Sequence, residues 1–174
     1  HNIPVYQPAK ARDEEFINTL KEINPDLIIV VAYGQILPKA LLDIPKFGCV
    51  NVHVSLLPKY RGAAPINWVI INGEEKTGVT TMYMNEGLDT GDIILQSEFA
   101  LSDEITAGEL HDIMMEQGGE LLIETIDKIK NNCAPRIPQN DEESSYAPIM
   151  NKALGCIDFN KTAKEIHNLV RGVN

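Results

Sequence analysis

The chain has 174 residues, a formal net charge of −10 and 44% hydrophobic residues. That is about one domain with enough apolar content for a sizeable core, and the acidic balance argues against a nucleic-acid surface, which needs clustered Lys and Arg. Cys49, Cys133 and Cys156 fall at unrelated spacings with no Cys-x-x-Cys pair, which suggests neither a disulfide framework nor a zinc site and points to a reducing compartment. The longest apolar stretch, Leu27 to Tyr33, is far short of a membrane span.

Ile3-Pro4-Val5-Tyr6 reads as a short strand-like piece. From Asp13 to Ile23, apolar residues at Phe16, Ile17, Leu20 and Ile23 follow helical spacing behind an acidic first turn. Asn24-Pro25-Asp26 separates this helix from Leu27-Ile28-Ile29-Val30-Val31-Ala32, a β-branched run of the kind buried on both faces of a parallel sheet. Helix and then strand repeat from Pro38 to His53. Alternation of this kind argues for a doubly wound α/β domain.

The apolar run Phe47, Cys49, Val50 and Val52 carries two polar residues, Asn51 and His53, before a loop rich in Pro and Gly. Residues two apart on a strand share a face, so both would point toward the region beyond the strand's C-terminal end, where open α/β sheets bind ligands. The same pair also fits a capping asparagine beside a hydrogen-bonded histidine.

After Pro65 a helix through Trp68 and Ile71 ends at Asn72-Gly73. Two strand-like runs, Gly78 to Met84 and Asp92 to Phe99, flank a loop with two glycines and an acid at its tip, and so short a connection favours a hairpin-like return in a mixed sheet. Thr106-x-x-Glu109 and Thr162-x-x-Glu165 fit capping boxes. The first opens a long amphipathic helix with Leu110, Ile113, Met114, Leu121, Leu122, Ile126 and Ile129 on one stripe; His111 beside it reads as structural. Pro135 to Pro148, with three prolines and several acids, reads as a surface linker.

Taken together, Asn51-x-His53 with Ser55-Leu56-Leu57-Pro58, Arg61-Gly62-Ala63-Ala64-Pro65 and the later Leu88-Asp89-Thr90-Gly91-Asp92 closely resemble the methionyl-tRNA formyltransferase family. Val31 to Pro38 is similar to the preceding strand and loop of that family, and the resemblance runs from Pro4 to Arg171. It implies a Rossmann-like α/β domain whose mixed sheet is mostly parallel, with helices on both faces. It implies transfer of a formyl group from 10-formyltetrahydrofolate to the amino group of initiator methionyl-tRNA through a tetrahedral intermediate, with no metal, in the cytoplasm and by a monomer. The catalytic residues it implies are Asn51, His53 and Asp89. Ser55, Leu56, Leu57 and Pro58 would contact the folate, and Gln35, Ile36 and Leu37 would help form the pterin cleft.

The chemistry suits those residue types. An amide donor at Asn51 can hold a developing oxyanion, and an imidazole, which titrates near neutrality, can take the proton of an attacking amine. Asp89 would orient and tune His53 or relay protons through water; an Asx-turn acid that only organises its own loop is the alternative. Arg61 is a candidate for acceptor contact or loop ordering, and Asp92 for a structural partner. Val54 departs from the small residue usual in the family. It would either narrow the space beside the histidine or pack on the strand's opposite face.

Other readings share the fold: a formyltransferase for a nucleotide-linked amino sugar or glycinamide ribonucleotide, a formyltetrahydrofolate hydrolase, or a non-catalytic folate-binding module. A dinucleotide-binding oxidoreductase lacks its Gly-x-Gly-x-x-Gly fingerprint here. Set beside the family, the chain begins at His1 without the opening strand, its glycine turn and the first helix, and it lacks the smaller C-terminal β-barrel domain that would follow. The expectation is a part of a longer protein, with catalytic core at 1–133, surface linker at 134–150 and a bridge with helix at 151–174, and with an apolar face left open. By the same resemblance, most of the positive charge facing tRNA would lie in the segments beyond this chain.

Overall fold

The computed structural model describes residues 1–174. Helix α1 (Glu14–Ile23) starts behind Asp13 and stops at Asn24, whose left-handed backbone (φ 50°) returns an N–H to the Leu20 carbonyl. Strand β1 (Ile28–Val31), the single-turn helix α2 (Lys39–Leu42) and strand β2 (Cys49–His53) follow. Next come the two-residue strand β3 (Arg61–Gly62), helix α3 (Pro65–Ile71), strands β4 (Lys76–Tyr83) and β5 (Ile93–Ala100) and the long helix α4 (Ala107–Lys130). A short strand β6 (Tyr146–Ala147) and helix α5 (Ala163–Val173) complete the chain.

The main sheet has the order β1-β2-β4-β5. It is mixed, but its parallel share is smaller than the mostly parallel sheet expected: β1 and β2 run parallel, whereas β4 is antiparallel to both β2 and β5. The short connection between β4 and β5 accounts for the opposite directions of those two strands. A second small sheet pairs β3 with β6 in parallel. The strand-like piece at Ile3 to Tyr6 forms no strand; Ile3 and Val5 are 74% and 79% exposed.

Period-two alternation sorts the sheet's side chains onto two faces. Ile28, Val30 and Cys49 pack with Ala11, Leu37, Leu41 and Phe16, under α1 and α2. On the other face Val52 and Val79 meet Ile70 of α3 and Leu110, Met114 and Leu121 of α4. Truncating a side chain such as Leu110 or Met114, both fully buried, to Ala costs about 2–5 kcal/mol. Both capping boxes form, at Thr106/Glu109 and Thr162/Glu165. Of the stripe on α4, Ile113 is exposed, and the buried face instead includes Gly118 and Thr125. Thr125 hydrogen-bonds Thr81 of β4 at 2.7 Å and donates to the Leu121 carbonyl, so this hydroxyl pair is satisfied inside the core.

Strand β1 was expected to be buried on both faces, but its outer edge pairs with nothing and Val31 is 57% exposed. A groove of about 410 Å³ runs beside it, lined among others by Val31, Val54, Pro65, Met114 and Leu122. Helix α5 packs on α3, where the Asn67 amide donates to the Gly172 carbonyl. Its Arg171 guanidinium, 5% exposed, donates to Asn168 and to the carbonyls of Ser102 and Ile105.

Candidate active site

Strand β2 delivers Asn51 and His53 to one face, as the two-residue spacing requires. Asn51 is half-buried, and its amide makes no hydrogen bond within the chain. His53 is 5% exposed, and its Nε2 lies 2.9 Å from the carbonyl oxygen of Tyr60. A carbonyl can only accept, so Nε2 carries the hydrogen and the neutral ring presents a lone pair at Nδ1. That lone pair faces Asp89 Oδ2 at 3.7 Å. The separation exceeds a hydrogen bond, so ring and carboxylate are both left for a third group.

The loop after β2 is tied from below. Thr80 of β4 donates through Oγ1 to the Ser55 carbonyl at 2.6 Å and accepts from the Leu57 N–H and from Gln96 Nε2. Gln96 of β5 also donates to the Leu57 carbonyl, and Ser55 Oγ donates to the Lys59 carbonyl. These bonds fix the chain up to Tyr60, whose backbone is left-handed at φ 61°, and so aim its carbonyl at the histidine. The Tyr60 hydroxyl donates to Glu74 and accepts from Asn72. Burial, with Glu74 next, pushes the phenol up to about 12. Behind the site on β2, burial and then the Asp43 charge raise the Cys49 thiol to about 11.

Asp89 sits at the tip of the loop between β4 and β5, also left-handed at φ 53°. Its Oδ2 accepts the Gly62 N–H at 2.8 Å. Gly62 belongs to β3, which is held in place by β6, and its φ of 115° and close neighbours leave no room for a side chain.

The remaining sequence candidates divide. Ser55 and Leu57 are buried, Leu57 among Met82 and Ile93, while Leu56 lies against Gly78. Leu37 is buried under α2, Ile36 is 82% exposed, and Gln35 accepts the Ala11 N–H through its side chain. Arg61 points to Gln139 and Asp141, which is loop ordering. Val54 packs with the Val52 cluster on the α4 side, away from His53. His111 is exposed and contacts Asp112. Asp92 lies 3.7 Å from Arg136, which stacks on Tyr83. Thr80, Gln96, Gln139 and Ser145 support the site without any local signal in the sequence. Their partners are 16 to 85 residues away.

An amide donor and an imidazole on one strand face, with a carboxylate 3.7 Å from the imidazole, are the residue types that can polarise a carbonyl oxygen and accept a proton from a nucleophile. The profile of the formyl transferase family matches residues 2–126, and the chain belongs to that family. A methionyl-tRNA formyltransferase of Clostridioides difficile (strain 630) is 73% identical over 174 residues, all of this chain and 56% of the relative. Among solved structures, an N-formyltransferase from Helicobacter canadensis in complex with folinic acid and dTDP-3-aminofucose is 36% identical with a TM-score of 0.66, covering 71% of this chain and 46% of that one. A 4-N formyltransferase from Francisella tularensis is 31% identical with a TM-score of 0.77, covering 90% and 64%. The chain thus spans about half the length of the curated relatives it matches.

Proposed function

We propose that the protein transfers the formyl group of 10-formyltetrahydrofolate to the amino group of initiator methionyl-tRNA. The observation that carries the chemistry is His53 Nδ1 facing the Asp89 carboxylate at 3.7 Å, with the unpartnered Asn51 amide on the same face of β2. The acceptor is supported by the name shared by relatives 55–73% identical across the chain.

In this reading the Asn51 amide donates to the formyl oxygen as it gains negative charge, and His53 Nδ1 takes the proton from the attacking amine. The carboxylate of Asp89 sits where it stabilises the resulting imidazolium and can hold the incoming amine. The tetrahedral intermediate then collapses by breaking the bond from the formyl carbon to folate N10, which receives that proton from His53 as tetrahydrofolate leaves. No step calls for a metal. Nδ1 is the competent nitrogen because Nε2 is committed to Tyr60.

The folate would lie along Ser55 to Pro58 and against Gln35, Ile36 and Leu37. With Ser55 and Leu57 turned inward and the segment's carbonyls and the Leu57 N–H already hydrogen-bonded, the N–H groups of Ser55 and Leu56 and the side chains of Leu56 and Ile36 are the surfaces left for the pterin, a flat ring edged with donors and acceptors. The folinic acid in the Helicobacter canadensis enzyme supports a folate donor. No helix is long and apolar enough to cross a membrane, and we place the enzyme in the cytoplasm as a monomer. We assign residues 1–133 to the catalytic domain, 134–150 to a linker and 151–174 to a bridge.

The solved Helicobacter canadensis enzyme is in complex with an amino-sugar nucleotide, dTDP-3-aminofucose, so the test must separate acceptors. The complete protein is given 10-formyltetrahydrofolate with methionyl-tRNA, an amino-sugar nucleotide, glycinamide ribonucleotide or no acceptor, and tetrahydrofolate release is followed. Release that needs both methionyl-tRNA and His53 is the expected result. Release with another acceptor, or with none, overturns the substrate named.

A further inference from the structure

Gln139 lies in the segment whose composition reads only as linker, yet it joins two parts of the site. Its Oε1 accepts from Nε and Nη2 of Arg61 at 3.0 and 2.8 Å. Its Nε2 donates to the carbonyls of Asp89 and Gly91 at 2.9 and 2.7 Å. The orientation of the amide is fixed by chemistry, because a guanidinium only donates and a carbonyl only accepts. No other side chain of this size serves both ends: a carboxylate would face two carbonyl oxygens, and an ammonium could not accept from Arg61.

What is gripped is the backbone of Asp89 itself, held at φ 53°. A non-glycine residue there persists only where its surroundings over-determine it. Two consecutive residues supply the grip: the Gly62 N–H holds the Asp89 carboxylate, and the Arg61 side chain, through Gln139, holds the Asp89 main chain. Arg61 is braced in turn by Asp141 at 2.8 Å. Two separate stretches of chain, at 61–62 and 139–141, thereby hold the loop that carries this carboxylate.

We propose that Gln139 is a positioning residue for formyl transfer, fixing where the Asp89 carboxylate meets His53 Nδ1. This rests on the reading of Asp89 given above. Misplacing a reacting group by about 1 Å can cost on the order of 10²-fold in rate, and Gln139 acts on that distance without touching substrate.

The test compares Gln139→Glu and Gln139→Met with wild type in the complete protein, alone and combined with Asp89→Asn. Gln139→Glu keeps the acceptor for Arg61 but replaces the donor to the Asp89 loop with a charged oxygen facing the Asp89 and Gly91 carbonyls, whereas Gln139→Met removes both ends without adding charge. Expected are a kcat lower by on the order of 10²-fold in both variants and an unchanged KM for the folate. In the Asp89→Asn background the same change should cost nothing further, since coupled residues are not additive. Wild-type kcat in both variants, or full additivity with Asp89→Asn, overturns the proposal and leaves the formyltransferase reading standing. Wild-type turnover in Asp89→Asn alone overturns the role of Asp89, and the proposal with it.

Discussion

His53 donates through Nε2 to the backbone carbonyl of Tyr60 at 2.9 Å, and this bond decides which ring nitrogen is available for chemistry. With Nε2 committed, the lone pair at Nδ1 is presented to Asp89. His53→Ala should therefore abolish most turnover while the protein stays folded. Asn51→Ala should lower kcat by about 10²–10³, the usual loss of one oxyanion donor. Single-turnover rates check both, and a near-wild-type rate in either variant removes that residue from the mechanism.

Gly62→Ala tests the other side of the pair. At φ 115° an added Cβ would sit 2.6 Å from Tyr146 Cε2 and 2.7 Å from the Ala147 carbonyl oxygen. The pairing of β3 with β6 must open to admit it, and the N–H that holds Asp89 moves with it. The expected outcome is a lower melting temperature together with a fall in kcat. A variant with wild-type kcat and a lowered melting temperature would show that the Gly62 N–H does not position the carboxylate.

The Asn51/His53 face, the two capping boxes and the mixed sheet were legible because each rests on local spacing or on a turn. The supports of the site were not. Thr80 and Gln96 sit on strands where their residue types are unremarkable, and Gln139 and Ser145 occur in a stretch that composition marks as loop. Their meaning comes from pairings such as Tyr60 with Ser145, 85 residues apart, which no local pattern encodes. The half-burial of Leu56 against Gly78 beside the full burial of Leu57 was equally hidden, since two adjacent leucines in a loop carry no periodicity.

The Tyr60 hydroxyl predicts an alkaline transition. Its folded value of about 12 lies above the ordinary 10 because of burial first and the bond to Glu74 next. A group raised on folding contributes stability that is complete below the unfolded value and is lost as pH climbs through the folded one, here between pH 10 and about 12. Tyr60→Phe should be less stable at neutral pH by about 1.5–3 kcal/mol, the usual range for a hydrogen bond to a charged group, and should lose less on going to high pH. Denaturant titrations at pH 7 and pH 11 make the comparison. Parallel losses in both proteins would rule out this assignment.

The three thiols should separate cleanly. Cys49 is 2% exposed with its thiol raised to about 11, whereas Cys133 and Cys156 are exposed. Since the thiolate is the reactive form, a maleimide at neutral pH should modify two cysteines in the native protein and the third only on unfolding. Rapid modification of Cys49 under native conditions would mean that β2 is open where the structure has it sealed by α2.

Helix α5 should respond to acid through its cap. Glu165 is held down to about 2, first by the Thr162 backbone N–H and hydroxyl and then by Lys161. A depressed carboxylate contributes stability that is present above the unfolded value of 4.5 and is lost as pH falls through the folded one. The window is therefore pH 4.5 down to about 2. Trp68, the one tryptophan in the chain, reports on this, because it lies on α3, the helix that α5 packs against, and donates to the Pro148 carbonyl. Its fluorescence should change within that window. In Glu165→Gln, which keeps a capping side chain without the titrating charge, the acid response should flatten, while Glu165→Ala should show the loosened signal already at neutral pH. An acid response of the same size in Glu165→Gln would assign the transition to another carboxylate on the same seam, Asp103, which is held below its usual value by Lys164 of α5.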